Sequence, residues 1–357
     1  MRAREIPGTG ITVSEIGFGA DAFASGWWGD HGDDEAIRLL HAALDRGVTL
    51  FDTADRDGDG RVESILGRAF ADRRARVVLS TKVGYDWRNA EPMGRAKRAM
   101  PQDFRPERIR NAVEDSLRRM DADYLDICEL HHAPRRVLAD DAVLDTLDAL
   151  VNEGKVRAFG AAIPAGSRPG DGRRLIRAKR VPVLDVEISI LDHGPGAELA
   201  GLAEASGACV IARRPHAWGM LEGKYTTETT FPPTDPRAHL SREWLESGLA
   251  QVATLGFLAD GRPWTLAQAS LRWVLDRPGV ASVVAVIHSE DQLDEFTQTP
   301  DLPPLDATDL ARIEDLIGSG FVAVPEVTGE QAADSGSPDA SQPGDTTPHD
   351  APVTAAV

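Results

Sequence analysis

Eight short apolar and β-branched runs recur along the chain with amphipathic helical stretches between them, and this alternation limits the fold more than any other feature. The runs are SEIGFG, TLFDTA, VVLSTKV, YLDICELH, VRAFGAA, VLDVEI, ACVIARR and ASVVAVI. Strands alternating with helices point to βα units around a parallel sheet. The helical stretches carry matching punctuation. Asp33 is placed to cap a stretch with Ile37, Leu40 and Leu44 on one face, Pro106 opens one with Ile109, Val113, Leu117 and Met120, and Gly154 closes DDAVLDTLDALVNE. Eight such units leave no exposed sheet edge if they close, so the predicted fold is α/β, a (β/α)8 TIM barrel. REIPGTGITVSEI reads as an N-terminal β-hairpin ahead of the first barrel strand. The stretch from about Trp218 to Trp264 reads as a long loop after strand seven, of the kind that covers a site.

The barrel accounts for residues 1–320. From Pro325 the text changes to Pro, Gly, Ser and Asp with no aromatic residue, Lys or Arg, which predicts a disordered acidic tail over 325–357. The whole chain carries a formal charge of −18, and the acids lie in the barrel as well as the tail. Such a surface repels phosphate backbones and anionic lipid headgroups, so nucleic acid and membrane are not expected partners. No apolar run approaches a membrane span, and MRAREIPGTG lacks the apolar stretch of a secretory leader, so the expected location is cytoplasmic. Cys128 and Cys209 sit inside apolar runs and read as reduced, packed strand residues.

Gly17-Phe-Gly19-Ala-Asp-Ala22 matches a dinucleotide-binding fingerprint, but no helical periodicity starts inside it. It reads instead as a barrel strand running into a loop. Trp27 and Trp28 in that loop, with Trp87 further on, are candidates for a substrate pocket wall; the plain alternative is that Trp27 and Trp28 cover the barrel top. In a barrel, chemistry gathers at the C-terminal ends of the strands. With a side-chain period of two, Asp52, Lys82 and His131 point inward at the same end of three consecutive strands. Each alone is an ordinary cap or core residue, but their coincidence at equivalent strand ends is not ordinary.

These residues carry a resemblance. FDTADRDGDGRVESILGRAF, VVLSTKVGYDW, SLRRMDADYLDICELH, GKVRAFG and LAQASLRWVLDRPGVASVV resemble the aldo-keto reductase family in order and spacing, from the first hairpin to about Leu316. The resemblance implies an enzyme: a barrel oxidoreductase that reduces aldehydes and ketones with NADP(H) bound across the C-terminal face. Its catalytic Asp, Lys and His carry over to Asp52, Lys82 and His131. Its catalytic Tyr falls at Asp57. Positions implied to contact the cofactor fall at Ala162, Ile163, Asp185, Arg213, His288 and Gln292. Of these, Ala162-Ile163 replace a Ser-Asn pair, Asp185 replaces Gln and His288 a basic residue, while Gln292 matches. Val286 and Phe296 stand where Gly and Asn are expected. NADP(H) binding is therefore expected to be weak or lost.

Asp57 does not simply replace a tyrosine. A free Asp titrates near 3.9, and a rise of about 3 units is needed before it donates a proton at pH 7, so the expected state is an ionised base. Only three tyrosines exist to substitute as proton donor. Tyr124 begins strand four, about 23 Å from His131. Tyr225 lies in the loop after strand seven. Tyr85 follows Lys82 closely enough to emerge on the catalytic face, against the plain alternative of a loop tyrosine with its hydroxyl in water. His131 and His132 with Asp52 and Asp57 offer metal ligands, but adjacent strand residues face opposite ways, so the two histidines could share a metal only if the strand has already ended, and no metal is expected. The sequence thus supports a reductase-like oxidoreductase on a small carbonyl or alcohol substrate with an altered proton relay. Two alternatives stand beside it: a non-redox barrel enzyme running an elimination or isomerisation with Asp57 as base, and a non-catalytic binding or regulatory protein on the same scaffold.

Overall fold

The alternating text closes into a barrel. A computed structural model describes residues 1–24, 31–89, 100–164, 173, 181–233 and 235–321. Two short strands open it, β1 (Ala3–Ile6) and β2 (Ile11–Ser14), paired antiparallel with Ile6 opposite Ile11. Eight parallel strands then follow in chain order: β3 (Ile16–Gly19), β4 (Leu50–Asp52), β5 (Val78–Val83), β6 (Leu125–His131), β7 (Val156–Ala162), β8 (Val183–Glu187), β9 (Cys209–Arg213) and β10 (Val280–Val286). Each pairs with the next, and β10 pairs with β3, so the sheet has no edge. All eight sequence runs form barrel strands.

Side-chain alternation divides the interior into two ends. Leu50, Val78, Ile127, Ala158, Val183 and Cys209 fill the N-terminal end, and the hairpin residues Ile6, Ile11 and Val13 pack onto them as a plug. Continuing on the same face in steps of two, β4 reaches Asp52, β5 reaches Lys82, β6 reaches Glu129 and His131, β8 reaches Asp185 and β9 reaches Arg213. The barrel is therefore oily at one end and charged at the other.

Helices wrap the sheet: α1 (Asp33–Asp45), α2 (Arg61–Phe70), α3 (Pro106–Met120), α4 (Asp141–Asn152), α5 (Gly194–Ser206), α6 (Arg242–Thr254), α7 (Leu266–Leu275), α8 (Glu290–Thr297) and α9 (Ala307–Gly318). Their apolar faces meet the outer strand faces in a core that includes Phe18, Phe51, Phe70 and Trp273. Pro106 stands in the first turn of α3, and Gly154 follows α4 at φ +74, as the punctuation predicts. Asp33 differs. It is the first residue of α1 after Gly32 and caps nothing; its carboxylate instead takes Arg61 at 2.6 Å and Arg68. The stretch predicted as a long loop after β9 contains α6, started by Ser241, whose Oγ accepts the Trp244 N–H at 3.1 Å, and anchored by buried Leu245 and Gly248. Its weak amphipathicity hid it from a reading by period. The Gly17–Ala22 motif is β3 running into a single 3-10 turn at Ala20–Phe23, with no helix for a dinucleotide.

Residues Met1–Val322 form one compact unit. The sequence expectations on Trp27, Trp28, the helix between β7 and β8, and the tail over 325–357 fall outside the described residues, Arg173 apart. Among the described residues no helix is long and apolar enough to cross a membrane.

Candidate active site at the barrel mouth

Lys82 is the centre of the charged end. Its Nζ lies 2.6 and 2.5 Å from the two carboxylate oxygens of Asp52 and donates to Thr53 O at 3.1 Å. Asp185 Oδ2 at 3.3 Å and Glu129 Oε2 at 3.8 Å complete an anionic cage. Burial alone lowers the ammonium pKa, but Asp52, then Glu129 and Asp185, outweigh it and hold Lys82 well above its ordinary value. Burial acts on the acids in the other direction. It pushes Asp52 up to about 6 against the pull of Lys82, and Glu129 well above the usual carboxylate range. Asp185 is kept low despite burial, because Arg213 and Lys82 both face it. Among the described residues, Asp52, Glu129 and Asp185 are a group whose oxygens lie close enough to share a metal ion. Lys82 already contacts all three and supplies the cation.

His131 ends β6 at the mouth. Burial and the neighbouring cations hold its imidazole well below the ordinary range, so it is neutral, and its buried Nδ1 has no hydrogen-bond partner among the described residues. The strand stops here. His132 turns into left-handed backbone at φ 57, which brings the two imidazoles together with ring centroids 4.6 Å apart. Adjacent residues therefore do share a side, against the expectation for a continuing strand. His132 offers a metal nothing, since Nδ1 lies 3.1 Å from Tyr85 Oη and Nε2 lies 3.1 Å from Arg213 Nη2.

Tyr85 emerges over the mouth because Gly84 takes φ +130, and a Cβ there would lie 2.1 Å from Phe104. Its ring meets His131 edge-on at 4.9 Å. The hydroxyl is bonded to His132, where the plain expectation left it in water. Tyr225 is excluded as a donor to substrate: it gives its proton to Trp218 O at 2.7 Å and accepts from Arg237 at 2.6 Å.

Asp57 sits half-buried after β4, where its Oδ2 accepts from Ala54 N–H at 2.9 Å and Thr53 Oγ1 at 3.2 Å. Burial, then Asp21 and Asp52, push its carboxyl up to about 7 against Arg56 and Lys82. The expected fully ionised base is thus corrected: near neutral pH the group divides between acid and base. Asp21, from the Gly17–Ala22 motif, is the neighbour that matters most and was not singled out in the sequence. Glu129 was also missed, although its place two residues before His131 puts it on the same strand face.

The positions implied for the cofactor are engaged within the protein as follows. Ala162 and Ile163 close β7 with no side-chain hydrogen-bonding group. The Ile163 carbonyl accepts from Arg213 at 2.9 Å, and the Ala162 carbonyl accepts from His132 N–H. Arg213 lies 2.5 Å from Asp185 as an ion contact whose N–H is not aimed along that line, and pairs with Glu187 at 2.6 Å. Both groups at the strand-six and strand-seven positions are thereby committed to each other. Gln292 accepts from His288 N–H and donates to Glu222 at 2.8 Å. On this side a cleft is lined by Asp21, Arg214, His216, Trp218 and Arg237 among others. Trp87 lies beside the guanidinium groups of Arg88 and Arg119 and lines a cleft against α3 that it shares with Gly84 and Tyr85.

A closed (β/α)8 barrel with a caged lysine, a carboxyl poised near neutrality and paired imidazoles at its C-terminal mouth is the build of a barrel enzyme. The chain belongs to the aldo/keto reductase family, whose model matches residues 15–317. It is 28% identical to aldo-keto reductase YhdN of Bacillus subtilis over 91% of this chain and 98% of that one. It is 28% identical to the NADH-specific methylglyoxal reductase of Escherichia coli over 80% of this chain and 90% of that one. Among solved structures, the glycerol dehydrogenase AKR11B4 of Gluconobacter oxydans matches with a TM-score of 0.76 and 27% identity, covering 91% of this chain and 98% of its own. The family is one of oxidoreductases.

Proposed function

We propose that this protein moves protons on a small carbonyl or hydroxyl compound at the barrel mouth, within the carbonyl and alcohol chemistry of its family, with Asp57 in the part a tyrosine plays there. The observation that carries this is the convergence of Asp57 with the Asp52–Lys82 pair, its carboxyl pushed up to about 7. A carboxyl of that kind exchanges protons in either direction near neutrality. The names of two relatives, a methylglyoxal reductase and a glycerol dehydrogenase, favour three-carbon oxygenated compounds as first substrates to try.

NADP(H), when bound, supplies a hydride. The residues at the nicotinamide positions do not fit it well: Ala162 and Ile163 have no side-chain donor, and Asp185 is held by Arg213 and Lys82. We therefore read the cofactor as weakly bound or lost, which favours the second form of the reaction, an isomerisation or elimination without hydride. The two forms separate by pH. Reduction with Asp57 as acid falls as pH rises through about 7, whereas proton abstraction with Asp57 as base rises through the same range. The test is to assay NADPH oxidation with methylglyoxal and glyceraldehyde, and separately cofactor-free exchange of carbon-bound hydrogen with deuterium oxide, each from pH 5.5 to 8.5. Neither activity at any pH would sink the reading and leave a binding protein on a reductase scaffold.

A further inference from the structure

We propose that Tyr85, His132 and Arg213 form a proton-donating relay, in which Tyr85 is the catalytic acid of the mouth and His132, fixed by Arg213, is its positioning residue. The inference rests on the reading that the mouth carries out proton transfer on a carbonyl or hydroxyl compound, and it adds the acid that opposes Asp57.

The argument starts at Arg213. A guanidinium carries donors only, so His132 Nε2, 3.1 Å from Arg213 Nη2, is the acceptor and bears no hydrogen. Burial and the Arg213 charge push the His132 pKa down to about 4, so at neutral pH the ring is uncharged and has a single N–H. That hydrogen is on Nδ1. Since Nδ1 lies 3.1 Å from Tyr85 Oη, the imidazole donates to the phenol oxygen, and the phenol's own proton is left to give elsewhere. The opposite tautomer would commit that proton to His132.

The surroundings agree with a built arrangement. Arg213 also reaches Ile163 O at 2.9 Å and Glu187 at 2.6 Å, so its head group is fixed from three strand ends. His132 holds left-handed backbone at φ 57, a conformation unfavourable for a residue with a Cβ, and this turn delivers its ring to Tyr85. Gly84 and the edge-on contact with His131 fix the phenol over the mouth.

On an α-hydroxy carbonyl compound the step balances without a co-reactant. The Asp57 carboxylate takes the proton from the carbon beside the carbonyl. The C–H electron pair becomes a carbon–carbon double bond, the carbonyl π pair moves to its oxygen, and that oxygen takes the Tyr85 proton. The phenolate is held by His132 Nδ1–H. In the return step the neighbouring hydroxyl gives its proton to the phenolate and Asp57 returns its proton to the other carbon.

Two measurements test the relay. In cofactor-free deuterium exchange of dihydroxyacetone and glyceraldehyde, Tyr85→Phe and His132→Leu should each lose about 100-fold or more in rate. His132→Asn, whose amide N–H replaces Nδ1–H, should keep most of it. Nitrogen NMR of histidine-labelled native protein should show His132 as the Nδ1–H tautomer, uncharged down to about pH 5, which follows from its lowered pKa. An Nε2–H tautomer, or native exchange that survives Tyr85→Phe, overturns the relay alone. Absence of exchange in the native protein on both compounds overturns the cofactor-free form of the reaction and the catalytic part of Tyr85 with it, while NADPH oxidation decides whether the wider reading survives. If Tyr85→Phe does not fold, the native tautomer decides.

Discussion

Lys82 shows how much a single residue can hold in place. It is 5% exposed and, among the described residues, is the one cation touching all of Asp52, Glu129 and Asp185. Removing one partner of a buried ionic cluster leaves the others uncompensated, at about 3–5 kcal/mol. Lys82→Met should therefore lower unfolding stability by that order in urea titration at pH 7. The loss should shrink at pH 5, below the value of about 6 to which Asp52 is pushed, as that carboxylate neutralises. Asp55 makes the converse point. It is 3% exposed and its carboxyl is pushed from an ordinary 3.8 up to about 8, first by burial and then by Glu63. A raised acid contributes stability that is present below the unfolded pKa and lost as pH rises through the folded one, here between about 4 and about 8. Asp55→Asn should leave the melting temperature nearly unchanged at pH 4 and raise it at pH 8; equal shifts at both would contradict the burial argument. Asp52, Lys82 and His131 were legible in the sequence because strand period and barrel geometry suffice to aim them. The titration of Asp57 was not, because Asp21 reaches it from the turn after a different strand, β3, and burial depends on the closed fold.

At the scale of elements, ends matter more than middles. Gly84 directly follows β5 and His132 directly follows β6, and these two departures from strand geometry bring Tyr85 and the second imidazole over the mouth. Gly84→Ala puts a Cβ 2.1 Å from the Phe104 ring at φ +130, which no rotamer of alanine relieves. It should cost about 3 kcal/mol or more in chemical denaturation and move Tyr85 off His131. A folded variant with native stability would mean that the turn is not needed. Strands and most helices could be read from periodicity, since a buried face imposes it. Two readings turn on where an element ends. Asp33 looks like a cap by sequence but starts the helix itself, because Arg61 and Arg68 of α2 draw its carboxylate away. His132 looks as if it faces away from His131, because alternation holds only while the strand continues.

At the scale of the molecule, the chain keeps the family's barrel, and the proposed change lies in the cofactor positions at its mouth. Hydrogen bonds from Ser, Asn and Gln positions are worth about 1 kcal/mol each, so their loss at Ala162, Ile163 and Asp185 should weaken NADPH binding by tens to hundreds of fold relative to a member that keeps them. Tryptophan fluorescence titration with NADPH checks this, and a submicromolar dissociation constant would contradict it.

The sequence alone determined the barrel, the N-terminal hairpin and the inward set Asp52, Lys82 and His131, because each follows from a local period or from the need to close a sheet edge. The tertiary structure decided which charges meet. Glu129, Asp185, Arg213 and Lys82 come from four different strands, and their pairing and titration depend on distances and burial that exist only after the barrel closes.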